Sequence, residues 1–247
     1  MHILLTNDDG VLAPSLWALH GALQELGEVT VVAPLAEQSG VGHAITYRTP
    51  IRAERVRVEG GAVAYAVSGT PADCVKFGVL KLLSRPPDLV VSGINPGLNL
   101  GCNVFYSGTV AAVIEGAMYG VRGVAFSCSP HNADRLARMA AQAVRTLKVI
   151  LEHRGRPALA YNVNLPALGD DDPEIVFTHH WAEAFHEHYL PQDAGGVEGF
   201  RLDLRGEDQV SPGDGCDVIA IQAGKISVTP LRPSLTDYDT LRHLAAP

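Results

Sequence analysis

Two adjacent carboxylates stand at the end of a short apolar run near the N-terminus, in Thr6-Asn7-Asp8-Asp9-Gly10 directly after Ile3-Leu4-Leu5. A strand that ends this way places two acidic groups where ligands bind in an open α/β sheet, just beyond the carboxyl ends of the strands. Side by side, the two repel each other and lose hydration together. A hard divalent cation relieves both penalties, because carboxylate oxygens suit magnesium, calcium or manganese. An Asp-Gly turn is also an ordinary way to end a strand, so the pentapeptide alone leaves both readings open.

Three further segments have the same character, polar and glycine-containing beside an apolar run: Glu37-Gln38-Ser39-Gly40, the stretch Ser92-Gly93-Ile94-Asn95-Pro96-Gly97-Leu98-Asn99-Leu100-Gly101, and Tyr106-Ser107-Gly108-Thr109 leading into Glu115-Gly116. Each is weak by itself. Ser39-Gly40 reads as a turn. The glycines at 93, 97 and 101 are not spaced as GxGxxG and lack the later carboxylate of a dinucleotide fingerprint, which argues against a nicotinamide-dependent dehydrogenase. Ser107 reads as an N-cap. As a group they say more. Asp8 and Asp9, the Ser39 hydroxyl and the Asn95 amide oxygen form an all-oxygen set suited to magnesium or manganese with positions left for water. Ser107, Gly108 and Thr109, at a helix start, can hold a phosphate through free N–H groups and hydroxyls, with Asn99 as an added donor. Segments 6–10, 36–43, 92–101 and 106–116 contain no Lys or Arg. A phosphate bound among them must be neutralised by a metal ion and backbone N–H groups.

The elements needed to position these loops are legible as patterns. Residues 2–6, 29–33, 89–91 and 124–126 read as buried strands. Helices are expected near 14–26, 71–83, 109–119 and 133–153, the last with Leu136, Ala140, Ala143, Leu147 and Ile150 on one face. A hairpin is expected across 50–67, turning at Gly60-Gly61. Interleaved strands and helices give an α/β class: a Rossmann-like, doubly wound, mostly parallel sheet. After residue 155 the pattern changes to short strand-like pieces at 158–164, 174–179, 199–204, 217–222 and 226–231, with a short helix near 237–244. Residues 1–155 are thus read as the core carrying the site. Residues 156–247 are read as strands completing it, with extended hairpins and a terminal helix.

Composition narrows the function. The chain has 247 residues, a 47% hydrophobic and 19% charged fraction, and a net charge of -8. That affords a real core and argues against long nucleic acid as a partner. Cys74, Cys102, Cys128 and Cys216 are scattered, which suggests a reducing compartment. No basic-then-apolar leader and no apolar run of ~18 residues is seen, so a cytoplasmic protein away from membranes is expected. His179, His180, His186 and His188 fall close together; a zinc site is conceivable, and a polar surface extension is the preferred reading. Trp181, Phe185 and Tyr189 are read as packing residues at an oligomer interface rather than as a base-stacking platform.

The sequence also resembles the SurE survival-protein nucleotidases, metal-dependent phosphatases that act on nucleoside monophosphates. The resemblance rests on residues 3–10, Gln38-Ser39-Gly40, Gly69-Thr70-Pro71-Ala72-Asp73-Cys74-Val75, residues 91–101, Tyr106-Ser107-Gly108-Thr109-Val110-Ala111-Ala112, Asn162-Val163-Asn164-Leu165-Pro166 and Ser227-Val228-Thr229-Pro230-Leu231, and is weakest over 175–215. It implies one divalent ion per subunit (Mg2+ or Mn2+) on Asp8, Asp9, Ser39 and Asn95. It also implies a Rossmann-like core, a homodimer or homotetramer built through the C-terminal hairpins and helix, and activity on 5'- and 3'-nucleotides, with short polyphosphate cleaved by some members. The expected chemistry is metal-assisted attack by water, with Asp8 as general base and Asp9 chiefly a ligand. An aspartyl-phosphate on Asp8 is the mechanistic rival. A different class of function, a non-catalytic metal- or phosphate-binding regulator of doubly wound fold, shares the acidic pair but has no need of the Asn95 loop and phosphate cradle.

Overall fold

Ile3, Leu4 and Leu5 are apolar without alternation, the pattern of a strand covered on both faces. In the computed structural model, which describes residues 1–58, 61–132, 134–153, 158–183, 188–193, 195, 197–203 and 213–244, they lie in β1 (His2–Thr6), where every residue is buried. The chain continues through α1 (Pro14–Leu23), β2 (Glu28–Pro34), β3 (Ala53–Arg57), β4 (Val63–Val67), α2 (Pro71–Phe77), β5 (Leu89–Asn95), α3 (Gly108–Met118), β6 (Arg122–Cys128), α4 (Leu136–Glu152) and β7 (Ala160–Leu165). It ends with β8 (Ile175–Phe177), β9 (His188–Asp193), β10 (Glu198–Asp203), α5 (Asp217–Gln222), β11 (Ile226–Leu231) and α6 (Tyr238–Leu244).

Nine strands form one sheet in the order β3-β4-β2-β1-β5-β6-β7-β11-β8, and β9 with β10 form a separate two-stranded ribbon. The sheet is parallel from β4 through β7; β3 pairs antiparallel with β4, and β11 antiparallel with β7 but parallel with β8. The winding reverses at β1. The chain leaves it outward to β2 and β4, then returns to place β5 on its other side. Thr6 is registered with Ser92, so the loops after β1 and β5 leave the sheet together at this switch point, where an open α/β sheet has its crevice.

Side-chain alternation distributes the core. Ile3 and Leu5 pack on one face with Leu16, Leu19 and Leu23 of α1 and Ala143, Leu147 and Ile150 of α4. Leu4 points the other way, into a cluster with Cys74 and Val75 of α2 and Val110 and Val113 of α3. Helices on both faces make the sheet doubly wound, as the sequence pattern predicts.

Two elements differ from the sequence reading. The helix expected over 71–83 is an α-helix only to Phe77; Gly78–Leu82 continue as a π-turn segment. Its start is fixed by a capping box, in which the Thr70 hydroxyl accepts from Asp73 N–H while the Asp73 carboxylate accepts from Thr70 N–H. The piece 217–222 is helical, not strand-like. Asp217 is fully buried and its carboxylate accepts N–H groups of Val218, Trp181 and Gly101, so an anion at the segment's start overrides the strand preference of Val218, Ile219 and Ile221. The hairpin expected over 50–67 forms as β3 and β4; Gly60 of its turn lies outside the described residues, as do Phe185, His186 and Glu187.

Leu147 is fully buried on the α4 face against the sheet. Leu147→Ala should lower the free energy of unfolding by ~2–5 kcal/mol, read from the urea midpoint at an unchanged m-value. A loss below ~1 kcal/mol would show that this face is not close-packed.

Candidate functional site

Asp8 follows β1 and is seized at once by the start of α3. Thr109 Oγ1 donates to Asp8 Oδ1 at 2.6 Å, and Thr109 N–H donates to Asp8 Oδ2 at 3.1 Å. A helix N-terminus presents unpaired N–H groups and the positive end of its dipole, so a carboxylate is stabilised there. The approach depends on Gly108, where a Cβ would lie 3.1 Å from Asp8 Cβ and 3.1 Å from Pro71 Cγ. Ser107 caps the same helix by accepting Val110 N–H at 3.2 Å, which leaves its hydroxyl hydrogen free to donate outward. Asp8 and the 107–109 helix start, two segments singled out separately in sequence, are therefore one cluster. Much of Thr109's donor capacity is turned toward Asp8.

The loop after β2, which carries Ser39, and the end of β5 at Asn95 leave the sheet at the same edge as Asp8. Gln38 N–H donates to Asp8 O at 2.8 Å, which ties the Ser39 loop to the β1 end. The Ser39 hydroxyl is exposed and donates to Glu37 Oε1 at 2.6 Å. Asn95 closes β5 at the same sheet edge, and its amide nitrogen donates to Gly97 O at 2.7 Å, which also fixes the direction of its amide oxygen because the amide group is planar. Asn99 is buried; its side-chain nitrogen donates to Ser127 Oγ at 2.6 Å, while its backbone carbonyl accepts from Asn162 Nδ2 at 2.7 Å and Asn164 Nδ2 at 3.1 Å. Asn162 and Asn164 thus brace the loop after β5 from β7.

Among the described residues no cationic side chain lowers the carboxyl of Asp8 or of Asp9. Burial, the main cause, raises the Asp8 carboxyl above its usual range even against the opposing Thr109 bonds. Burial, then the charges of Asp8 and Glu37, push Asp9 up to about 7. Asp9 Oδ2 is buried without a hydrogen-bond partner. Burial and the nearby Asp9 charge also push the Cys128 thiol up to about 12, which keeps that thiol neutral. Among the described residues no three His, Cys, Asp or Glu side chains converge as a metal cluster. A cation here would draw on the two carboxylates, neutral oxygens and water, which is magnesium-like rather than zinc-like chemistry.

Structure adds residues that local motifs did not reveal. His43 Nε2 lies 2.8 Å from Glu115 Oε2, and Lys76 Nζ lies 2.7 Å from Glu115 Oε1. A cavity of about 390 Å³ beside Ser107 is lined by His43, His180 and Arg232. Their sequence signal is faint: His43 and Glu115 lie within two of the polar segments but 72 residues apart, and the fold alone brings them together. Trp181 packs partly buried against Leu100 and Cys216, whereas Tyr189 is exposed on the ribbon.

A carboxyl whose folded-state pKa is raised stabilises the folded chain while it is protonated. That contribution is whole below pH ~4, the unfolded value, and is lost as pH rises through about 7 for Asp9. Asp8 acts in the same direction. In chelator-treated protein, stability should therefore fall between pH 4 and 8, and Asp9→Asn should be more stable than the parent by ~1–2 kcal/mol at pH 8 but not at pH 4. Equal pH dependence of the two unfolding curves would contradict the electrostatic strain assigned to this pair.

The family model of survival protein SurE matches residues 3–187. The 5'-nucleotidase SurE of Rhodopirellula baltica is 41% identical over 246 residues, covering 99% of this chain and 97% of the relative. That of Pelobacter propionicus is 42% identical over 247 residues, covering 98% and 97%. The crystal structure of the SurE protein from Aquifex aeolicus superposes with a TM-score of 0.83 at 34% identity, covering 99% of this chain and 98% of that one. With the switch-point crevice, the adjacent aspartates at the end of β1 and this match along its length, the chain belongs to the SurE family.

Proposed function

We propose that the protein is a divalent-metal-dependent 5'-nucleotidase that hydrolyses nucleoside monophosphates to nucleoside and phosphate, with 3'-nucleotides as further substrates. One observation carries the reading. Asp8, buried against a helix N-terminus, stands beside half-buried Asp9, whose Oδ2 is buried without a partner, and among the described residues no cationic side chain lowers either carboxyl. Relatives matched over nearly their full length are 5'-nucleotidases of the SurE name, which supports the substrate class.

The donor set fits one magnesium or manganese ion per subunit, held by Asp8, Asp9, Ser39 and Asn95. Such an ion polarises phosphoryl oxygens and makes a water more acidic. The rest falls to the chain. Ser107 and Gly108 offer a hydroxyl and an N–H at a helix start for the phosphate, with Thr109 fixing Asp8 behind them and Asn99 shaping the facing loop. Asp8, oriented by two bonds from Thr109, takes the proton of the attacking water, because a base must first be held in place. The crevice mouth lacks Lys and Arg in its four motif segments, so a bound ion would supply the positive charge that a phosphate needs there.

The same reading extends to assembly. Residues 1–155 form the catalytic unit, and 156–247 complete the sheet and carry the surfaces for a homodimer or homotetramer. The supporting feature is the α6 helix, which buries none of its residues and leaves Tyr238, Leu241 and Leu244 exposed, together with exposed Tyr189 and Phe200 on the β9–β10 ribbon. A net charge of -8 fits a small-molecule substrate and a cytoplasmic setting better than nucleic acid. No helix of the described residues is long and apolar enough to cross a membrane.

A panel of 5'- and 3'-nucleotides assayed with magnesium, with manganese and after exhaustive chelation tests the reading. Phosphate release should require the ion, and Asp8→Asn should lower kcat by at least ~100-fold while remaining folded by circular dichroism. Full activity after chelation, or in Asp8→Asn, would refute the site assignment.

A further inference from the structure

Glu115 is a carboxylate buried inside α3 that neither the ion nor the phosphate cradle uses. Its side chain is 3% exposed. Burial alone would raise its carboxyl, but the bonds from His43 and Lys76 outweigh that and hold it below the usual range. Glu115 is therefore an anion at neutral pH, and it fixes His43 Nε2 as a hydrogen-bond donor. Lys76 is committed behind it, bonded to Glu115 and to the Tyr119 hydroxyl at 3.1 Å.

The loop that carries His43 is clamped on two sides. Gly42 N–H donates to Tyr106 O at 2.9 Å, and at φ +55 a Cβ on Gly42 would stand 2.9 Å from Phe105 O. On the α2 side, the Thr70 hydroxyl donates to Ala44 O at 2.7 Å and Thr46 N–H donates to Asp73 Oδ1 at 3.0 Å. His43 is thereby seated against the segment that ends in the Ser107 cap. Its side chain is 34% exposed and lines the cavity of about 390 Å³ that also contains Ser107, His180 and Arg232. Nδ1 of His43 has no partner among the described residues.

We propose that His43 is a catalytic residue, the acid that protonates the departing ribose oxygen, with Glu115 as the residue that positions its ring. The proposal rests on the nucleotidase reading above and deepens it. A ribose alkoxide is a poor leaving group, so the carboxylate pair that accepts a proton from water cannot be the only proton-transfer group in the reaction. As the water oxygen bonds to phosphorus, the phosphorus–oxygen bond to ribose breaks and its electron pair passes to the ribose oxygen. That oxygen takes the proton from Nδ1–H of the His43 imidazolium, whose Nε2–H stays hydrogen-bonded to Glu115, and solvent restores the proton after product leaves. The groups facing His43 are Glu115 on α3, Lys76 on α2 behind it, and His180 and Arg232 across the cavity. Arg232 does not give up a proton. Lys76 is turned away, and His180 lacks the carboxylate that fixes His43.

His43→Gln tests the proposal, because a Gln side-chain amide can keep the bond to Glu115 while losing the Nδ1 donor. Steady-state kcat is measured on a nucleoside 5'-monophosphate and on p-nitrophenyl phosphate, whose nitrophenolate departs without a proton. Expected is a loss of at least ~100-fold on the nucleotide with less than ~3-fold on p-nitrophenyl phosphate, and disappearance of the alkaline limb of the nucleotide kcat–pH profile. His180→Gln should leave that limb in place. Equal losses on the two esters, no loss on the nucleotide, or a retained alkaline limb in His43→Gln would overturn the role of His43 while leaving the nucleotidase reading intact. A parent enzyme that hydrolyses no nucleotide would overturn both.

Discussion

The structure turns on two carboxylates placed side by side, Asp8 buried and Asp9 half-buried, with no cationic side chain lowering either among the described residues. Asp8 and Asp9 are each raised by burial and by negative neighbours. Nothing in the packing requires this arrangement, since a hydrophobic pair of similar volume would fill the end of β1 at lower electrostatic cost. The sheet supports the strain through an extensive core on both faces. An anionic pair of this kind is stable only when a cation or protons neutralise it, and it is this constraint that gives the crevice a chemical purpose.

Topology explains why the strain sits where it does. Reversal of winding at β1 opens the crevice between the loops after β1 and β5, and α3 begins beside it. The helix start then serves two partners. Thr109 holds Asp8, while Ser107 lines the neighbouring cavity. The α2 cap holds the His43 loop from below through Asp73 and Thr70, and the asparagines of β7 brace the Asn99 loop from the side. Most of these supports are backbone groups answered by buried polar side chains, a rigid way to hold loops whose own sequences are rich in glycine.

Much of this was legible in the sequence where physics acts locally. Apolar runs of three to five residues marked β1, β2, β5 and β6, and the spaced Leu and Ala of α4 marked its buried face. The aspartate pair, Ser39, Asn95 and the 107–109 helix start were legible as unusual polar loops after apolar strands. What was not legible depends on distant partners. The helix at 217–222 could not be read because its Asp217 anion is answered by Gly101 and Trp181 N–H groups far away in sequence. The bond of Thr109 to Asp8 spans 101 residues and that of His43 to Glu115 spans 72, so neither has a local signature. His43 looked like one more polar residue in a turn until the fold set Glu115 beneath it.

The central claim is that the aspartate pair holds a proton because it lacks a cation, and gives it up when one arrives. Calorimetric titration of Mn2+ into the protein at pH 6.5, in buffers of differing ionisation enthalpy, counts the protons displaced. Release of roughly one proton per ion bound is expected in the parent protein, and measurably less in Asp9→Asn. Binding of the ion without proton release, or the same release in both proteins, would contradict that claim.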